Sequence, residues 1–284
     1  MYKTQGESLT RQCTGQLSAA GDQHDRMIGK RDMQSEVPEL ITDSISRMMH
    51  FVSGYYSRAR SELSQQHIMA IGRRYSMMTD AYFEVAQLFF RGPDSDREQR
   101  YFNLYLNSLY INIFGSLENL TWMLYFEKIY EHQKLGKHQI SLFRKELIRA
   151  SLANGVDLSS QREKYYNWIR ELKSKRDPIA HQIPMYVPFR VITNGEQRAE
   201  YFEMERLARQ KLEDGDTHGW FEVMHEARKV GDFLPNIWLV DSVDESLRFV
   251  PFRQTVNGDM LIMNELVKEI FGCVFGDILT SGLS

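Results

Sequence analysis

The chain has 284 residues, a mass of 33.4 kDa and a formal net charge of −3. That length holds one large domain, or one domain with a smaller appendage. Its slight acidity excludes a protein that coats nucleic acid non-specifically, while leaving room for a local basic site that acts on RNA.

Apolar residues make up 42% of the chain and aromatic residues 12%, enough for a sizeable core. The two cysteines, Cys13 and Cys273, lie far apart and outside any CxxC. This pattern indicates neither a disulfide framework nor a thiolate metal site and fits a reducing, cytoplasmic setting. Residues 1–36 are polar, lack the apolar core of a signal peptide, and are read as a disordered N-terminal tail. No stretch approaches the roughly 18 consecutive apolar residues of a membrane-spanning helix, so no membrane association is expected.

From Pro38 the sequence PELITDSISRMMHFVSGYYSRARSELS places Ile41, Ile45, Met48, Met49 and Val52 at close to helical spacing. A second helix is expected over about 75–90, ended by the breaker Gly92-Pro93. The longest is expected over about 98–132, with Phe102, Leu106, Leu109, Ile113, Leu117, Leu120 and Leu124 on one stripe. A helix apolar over so much of its circumference belongs at the centre of a bundle. Glu118 and Asn119 interrupt its middle. A carboxylate there must face a cleft, find a partner, or sit at an edge that meets water.

Another helix is expected over 138–153, ended by Asn154-Gly155. Ser160 and Glu163 then have capping-box spacing and open a helix that buries Tyr165, Trp168, Ile169 and Leu172. After Pro184 the pattern changes. The stretches VPFRVITNG (187–195) and VPFRQTVNG (250–258) share six of nine residues. Both read as extended segments closing in Asn-Gly turns, paired directly or through a neighbour into a small sheet. Helices are expected near 197–213, 218–230 and 260–272. The expected fold is therefore mainly α: a helical bundle over 37–184 and a small C-terminal α+β appendage over 185–284, packed on the bundle.

The chemistry concentrates at Arg176-Asp177-Pro178-Ile179-Ala180-His181. In an unbroken helix Arg176 and His181 would stand about 140° apart around the axis. Asp177 is a good N-cap and Pro178 a preferred first helical residue, so a short new helix is expected to start there. Its free backbone N–H groups, the Arg176 fork and the proton-carrying His181 would then suit a phosphodiester. The alternative is a structural corner, with Arg176 in a surface ion pair and His181 bonded to a backbone carbonyl.

An arginine, a polar residue and a histidine after four intervening residues, set in a helical bundle, resemble the motif of the HEPN superfamily. The stretch SLENLTWML (116–124) resembles a segment of an earlier helix in uncharacterised members, so the similarity spans about 38–183. The resemblance implies a homodimer that brings two Arg-His motifs into one cleft and cuts RNA without a metal or other cofactor, in a toxin-antitoxin or phage-defence setting. His181 would transfer protons as a ribose 2′-hydroxyl attacks the adjacent phosphate. Arg176 would hold that phosphate, Asp177 would orient the site, and Glu118 would contribute from the neighbouring helix. Two departures stand out: Pro178 lies inside the motif, and IPMYVP follows the histidine. The superfamily also includes members that bind nucleic acid, nucleotide or a protein partner such as an antitoxin without cutting.

Other signals are weaker. His218 and His225, with Glu222 and Glu226, could hold a metal but read more simply as a solvated helix face. Met69, Met77 and Met78 read as fillers of core gaps. Lys134, Lys137, Arg144, Lys145, Arg149, Lys173, Lys175 and Arg176 could form one basic patch or decorate a solvated surface.

Overall fold

A computed structural model of the chain describes residues 36–181, 184–240 and 247–276. It is a mainly α-helical bundle with a small two-stranded β appendage near the C-terminus. The expected tail lies outside the described residues, except for Glu36 at the first helix start. The chain divides into two compact units, one holding 38–188 with 235–284, the other holding Phe189–Leu234.

In the larger unit, α1 (Glu36–Gly54) is followed by a short 3-10 turn and then α2 (Glu62–Arg91). The two helices are shorter and longer, respectively, than the apolar spacing suggests. The reason is Ser61, whose side chain accepts from the Ser64 N–H at 3.1 Å and starts a fresh helix. Gly92, at φ 72°, ends α2 as expected, with Pro93 behind it. Ser95 then caps α3 (Asp96–Leu124), accepting from the Glu98 N–H.

α3 is the axis of the bundle. All seven residues of its expected stripe are buried. Its α-helical part ends earlier than expected, because residues Tyr125–Ile129 form a π turn in which the Tyr130 N–H donates to the Tyr125 carbonyl at 2.9 Å. In that turn the buried Glu127 carboxylate accepts from the Arg60 backbone N–H at 3.0 Å.

The helix expected over 138–153 is confined to α4 (Lys145–Ala153). Phe143 is buried with φ 66°, a left-handed conformation that ends any helix through it. Next, α5 (Ser159–His181) starts one residue before the expected cap, and Asp157 Oδ1 accepts from the Ser159 N–H at 2.9 Å. The last helix of the unit, α8 (Phe252–Phe275), is longer than expected and starts inside the second VPFR segment.

The strands β1 (Asn236–Val240) and β2 (Leu247–Pro251) pair antiparallel, Trp238 facing Phe249. On its other edge Trp238 makes an isolated bridge to Tyr186. Tyr186 and Phe249 are the equivalent residues just ahead of the two VPFR copies, so the copies do meet through a neighbour. Their rings flank the Trp238 ring edge-on, with centroids at 6.3 and 5.1 Å. The expected Asn-Gly turns do not form. Asn194 instead caps α6 (Gly195–Glu213), and Asn257-Gly258 lies inside α8. An Asn side chain satisfies a helix N–H as readily as it enters a turn, and tertiary burial of Val256 and Met260 carries α8 through Gly258.

The smaller unit pairs α6 with α7 (Thr217–Ala227), the latter capped by Asp216. Its ends are closed by a bridge between Val191 and Asp232. Gly231 (φ 110°) permits that bridge, since a Cβ there would stand 2.7 Å from the Val191 carbonyl oxygen.

The N-terminal half of α5 is held to α8 through Glu269. Its carboxylate accepts from Tyr165 Oη at 2.6 Å, Lys164 Nζ at 2.8 Å and Gln161 Nε2 at 3.3 Å. Burial, the largest single influence, raises the carboxyl pKa, but the three donors together outweigh it and hold Glu269 below its ordinary value. Burial and the bond to Glu269 push Tyr165 up to about 12. A depressed carboxyl stabilises the fold fully above the unfolded pKa of about 4.3 and loses that contribution as pH falls through the folded value. Urea unfolding of the wild type between pH 7 and pH 3 is expected to weaken below about pH 4.3. Glu269→Gln is expected to be less stable at pH 7 and to lose less on acidification.

Candidate functional site

The inward face of α5 carries Gln161, Tyr165, Leu172 and, in the same phase, Lys175. Lys175 is 2% exposed and Asp259, on α8, is 4% exposed. Lys175 Nζ donates to Asp259 Oδ2 at 2.7 Å, and Tyr110 Oη of α3 donates to the same oxygen at 2.6 Å. Trp168 Nε1 donates to Oδ1 at 2.9 Å. One carboxylate thus ties α3, α5 and α8 together. Burial first, then the Asp259 charge and the bond to it, keep the Tyr110 phenol well above its usual pKa, so it is a fixed donor. Glu171, one turn earlier and more than half exposed, stands 3.5 Å from Lys175 Nζ.

Lys175 therefore does not belong to the expected surface patch. Its ammonium points into the bundle, 5.6 Å from the Tyr110 ring centroid. The signal was present in the sequence: a lysine in step with Tyr165, Trp168 and Leu172, and an aspartate in step with Val256, Met260 and Met263. A charged residue in phase with an apolar stripe is either a burial error or half of a pair.

Arg176 follows one residue on, turned about 100° from Lys175. Its side chain is 29% exposed and its guanidinium lies 4.8 Å from the centroid of Phe114 on α3. Nη1 donates to Asp177 Oδ1 at 3.2 Å. Asp177 thus orients the arginine but caps no helix. α5 runs unbroken through Pro178, contrary to the expected restart. The proline removes one hydrogen bond, to the Ser174 carbonyl, but lies only three residues before His181 at the end of the helix, where the loss is small. Buried Leu172 and Lys175 fix the helix on the side before it.

An unbroken helix places positions 176 and 181 about 140° apart and about 7.5 Å along the axis. The backbone of His181 is helical; its side chain lies outside the described residues. Glu118 is exposed, one turn beyond Phe114 on α3, and so meets water. The structure brings Arg176 and Asp177 together; it does not bring Glu118 into their contacts.

Beyond the motif, residues 185–187 lie as an extended segment along α3. Gln99, Asn103 and Asn107, at successive turns, take up its backbone. Asn107 bonds both the N–H and carbonyl of Met185, at 3.0 and 2.9 Å. Asn103 accepts from the Val187 N–H at 2.8 Å, and Gln99 donates to the Val187 carbonyl. These amides satisfy a strand whose Met185 and Val187 are buried. On α7, His218 Nδ1 stands 3.5 Å from Glu222, and among the described residues no group of three His, Cys, Asp or Glu is placed to hold a metal. No helix among the described residues is long and apolar enough to cross a membrane.

Removing the shared carboxylate would leave the buried Lys175 ammonium with only the half-exposed Glu171 at 3.5 Å, and would take the acceptor from Tyr110 and Trp168. Asp259→Ala is expected to cost about 3–5 kcal/mol in urea unfolding. Replacing both members of the pair by apolar residues of similar volume is expected to recover much of that loss. The chain matches no protein-family model, no curated protein and no solved structure.

Proposed function

We propose that the end of α5 is a phosphate-handling site of a metal-independent endoribonuclease of HEPN type. The observation that supports this reading is Arg176: a partly exposed guanidinium seated on Phe114 and aimed by Asp177, beside an anchor that fixes the rotation of its helix. Such a fork is preorganised to meet a phosphate. In the proposed reaction a ribose 2′-oxygen attacks the adjacent phosphorus while the 5′-oxygen of the next nucleotide leaves. The products are a 2′,3′-cyclic phosphate and a 5′-hydroxyl end. His181 exchanges the protons lost by the 2′-oxygen and gained by the 5′-oxygen, and Arg176 holds the charge on the non-bridging oxygens. Positions 176 and 181 diverge around one helix, so the site is completed by the same helix end of a second copy.

The pairing of Arg176 with Asp177 within the chain favours a second reading, in which the same helix end binds RNA or a protein partner without cutting.

RNA cleavage by the purified chain in excess EDTA separates the two. Cleavage is expected to persist in EDTA and to fall by about 10²-fold or more in Arg176→Ala and in His181→Ala, with helical content retained. A folded wild type that cuts no member of a varied RNA panel contradicts the ribonuclease reading and leaves the binding one.

A further inference from the structure

α2 and α3 face each other across two polar rungs spaced two helical turns apart. In the first, His67 Nδ1 meets Asn119 Oδ1 at 3.1 Å. Asn119 Nδ2 is committed to the Gly115 carbonyl at 2.9 Å, so the oxygen of the amide faces the imidazole. His67 must therefore donate from Nδ1, and in the neutral ring Nε2 is left as an acceptor. In the second rung, Arg74 Nη1 donates to Asn112 Oδ1 at 3.2 Å. Asn112 Nδ2 is likewise committed, to the Ser108 carbonyl at 2.9 Å. Between the rungs is Gly115, and the Arg74 guanidinium occupies the space a Cβ would take there.

Alongside these rungs runs an open groove of about 660 Å³, whose walls include Arg73, Arg74, Met77, Leu104, Ile111 and Asn112. Its lining holds two arginines and no carboxylate, in a chain that is net acidic. Arg74 is bonded to a neutral amide, and Arg73 makes no ion pair or hydrogen bond among the described residues. The positive charge of the groove is thus uncompensated. Met77, Leu104 and Ile111 are 53%, 60% and 45% exposed, so the wall beside the cations is apolar. The His67 ring lies nearly parallel to two half-buried rings, Trp122 at 13° and Phe126 at 14°, and those two are tilted by 24° to each other. That ring cluster lies outside the groove's lining; the lining itself sets two cations beside an apolar wall, the pairing that suits a nucleotide, the cations for its phosphate and the wall for a face of its base.

We infer that the α2–α3 groove is a binding site for an unpaired nucleotide, free or within an RNA strand. Arg73 and Arg74 take its phosphate, and the apolar wall of Met77, Leu104 and Ile111 takes its base. A bare anion would use only the arginines. The inference does not rest on the ribonuclease reading, because the groove uses neither Arg176 nor His181.

The test is calorimetric titration of the full-length chain with AMP, adenosine, inorganic phosphate and a single-stranded hexa-adenylate RNA. AMP or the RNA is expected to bind at least tenfold more tightly than adenosine or phosphate, and more weakly as salt rises. A hexamer much tighter than AMP identifies an RNA strand as the source of the nucleotide, and equal affinities identify the free nucleotide. Two variants locate the site. Arg73→Gln removes an exposed cation. Gly115→Ala displaces only the flexible end of Arg74, and alanine favours a helix over glycine, so its thermal stability is expected to be unchanged or raised. Each is expected to weaken binding about tenfold while Arg176→Ala leaves AMP binding unaltered. Phosphate binding as tightly as AMP, no binding at millimolar ligand, or binding insensitive to both groove variants would each overturn the inference.

Discussion

The Asp259 carboxylate is the contact on which the arrangement of the bundle depends. A carboxylate removed from water loses several kcal/mol of hydration unless donors replace it. Here three donors do so, from Tyr110, Trp168 and Lys175, and they come from two different helices. Helix packing by apolar side chains alone tolerates small rotations, because one greasy contact substitutes for another. A buried ion pair does not, since a rotation that separated Lys175 from Asp259 would leave the carboxylate with Tyr110 alone and the ammonium with the half-exposed Glu171 alone. The rotation of α5 is thereby fixed, and with it the direction of the next residue. Arg176 emerges about 100° further round, onto the Phe114 ring and towards water.

α3 distributes polar work over two of its faces while its apolar stripe fills the core. One face offers Gln99, Asn103 and Asn107 to the extended segment 185–187. Another offers Asn112 and Asn119 to Arg74 and His67 of α2. In both places a side-chain amide is used where a charged group would be costly and an apolar one would leave a partner unsatisfied. The consequence for function is rigidity. Arg74 and His67 are held by amides whose other hydrogen bonds are already made, and Arg176 is held by Asp177 and an aromatic ring.

Much of this was legible in the residues. The α3 stripe from Phe102 to Leu124 is the core that its spacing announces, and Gly92-Pro93 ends α2 where it stands. The likeness of the VPFR copies pointed to a pairing directly or through a neighbour, and they meet at Trp238 of β1, which pairs with Phe249 and makes an isolated bridge to Tyr186. What failed was local punctuation. Asn194-Gly195 and Asn257-Gly258 look like turns but open or continue helices, and Asp177-Pro178 looks like a restart but lies within one. At Asn194 the side chain caps a helix instead of entering a turn, while at Asn257-Gly258 and Asp177-Pro178 the packing of flanking residues outweighed a local preference worth roughly 1–3 kcal/mol. Lys175 was assigned to the surface by its charge, although its phase with Tyr165 and Leu172 placed it inside. His67 and Arg74 gave no signal of their own, because the amides that fix them lie 52 and 38 residues away in sequence, respectively.

The most direct test of the anchor is a double-mutant cycle on Lys175→Met and Asp259→Leu, read as unfolding free energies in urea at neutral pH. If the pair fixes α5 as described, the double variant will be more stable than the sum of the single losses allows, with a coupling energy of about 1.5 kcal/mol or more. Losses that add to within about 0.5 kcal/mol would mean that Lys175 and Asp259 do not act on each other. The orientation of Arg176 would then need another cause.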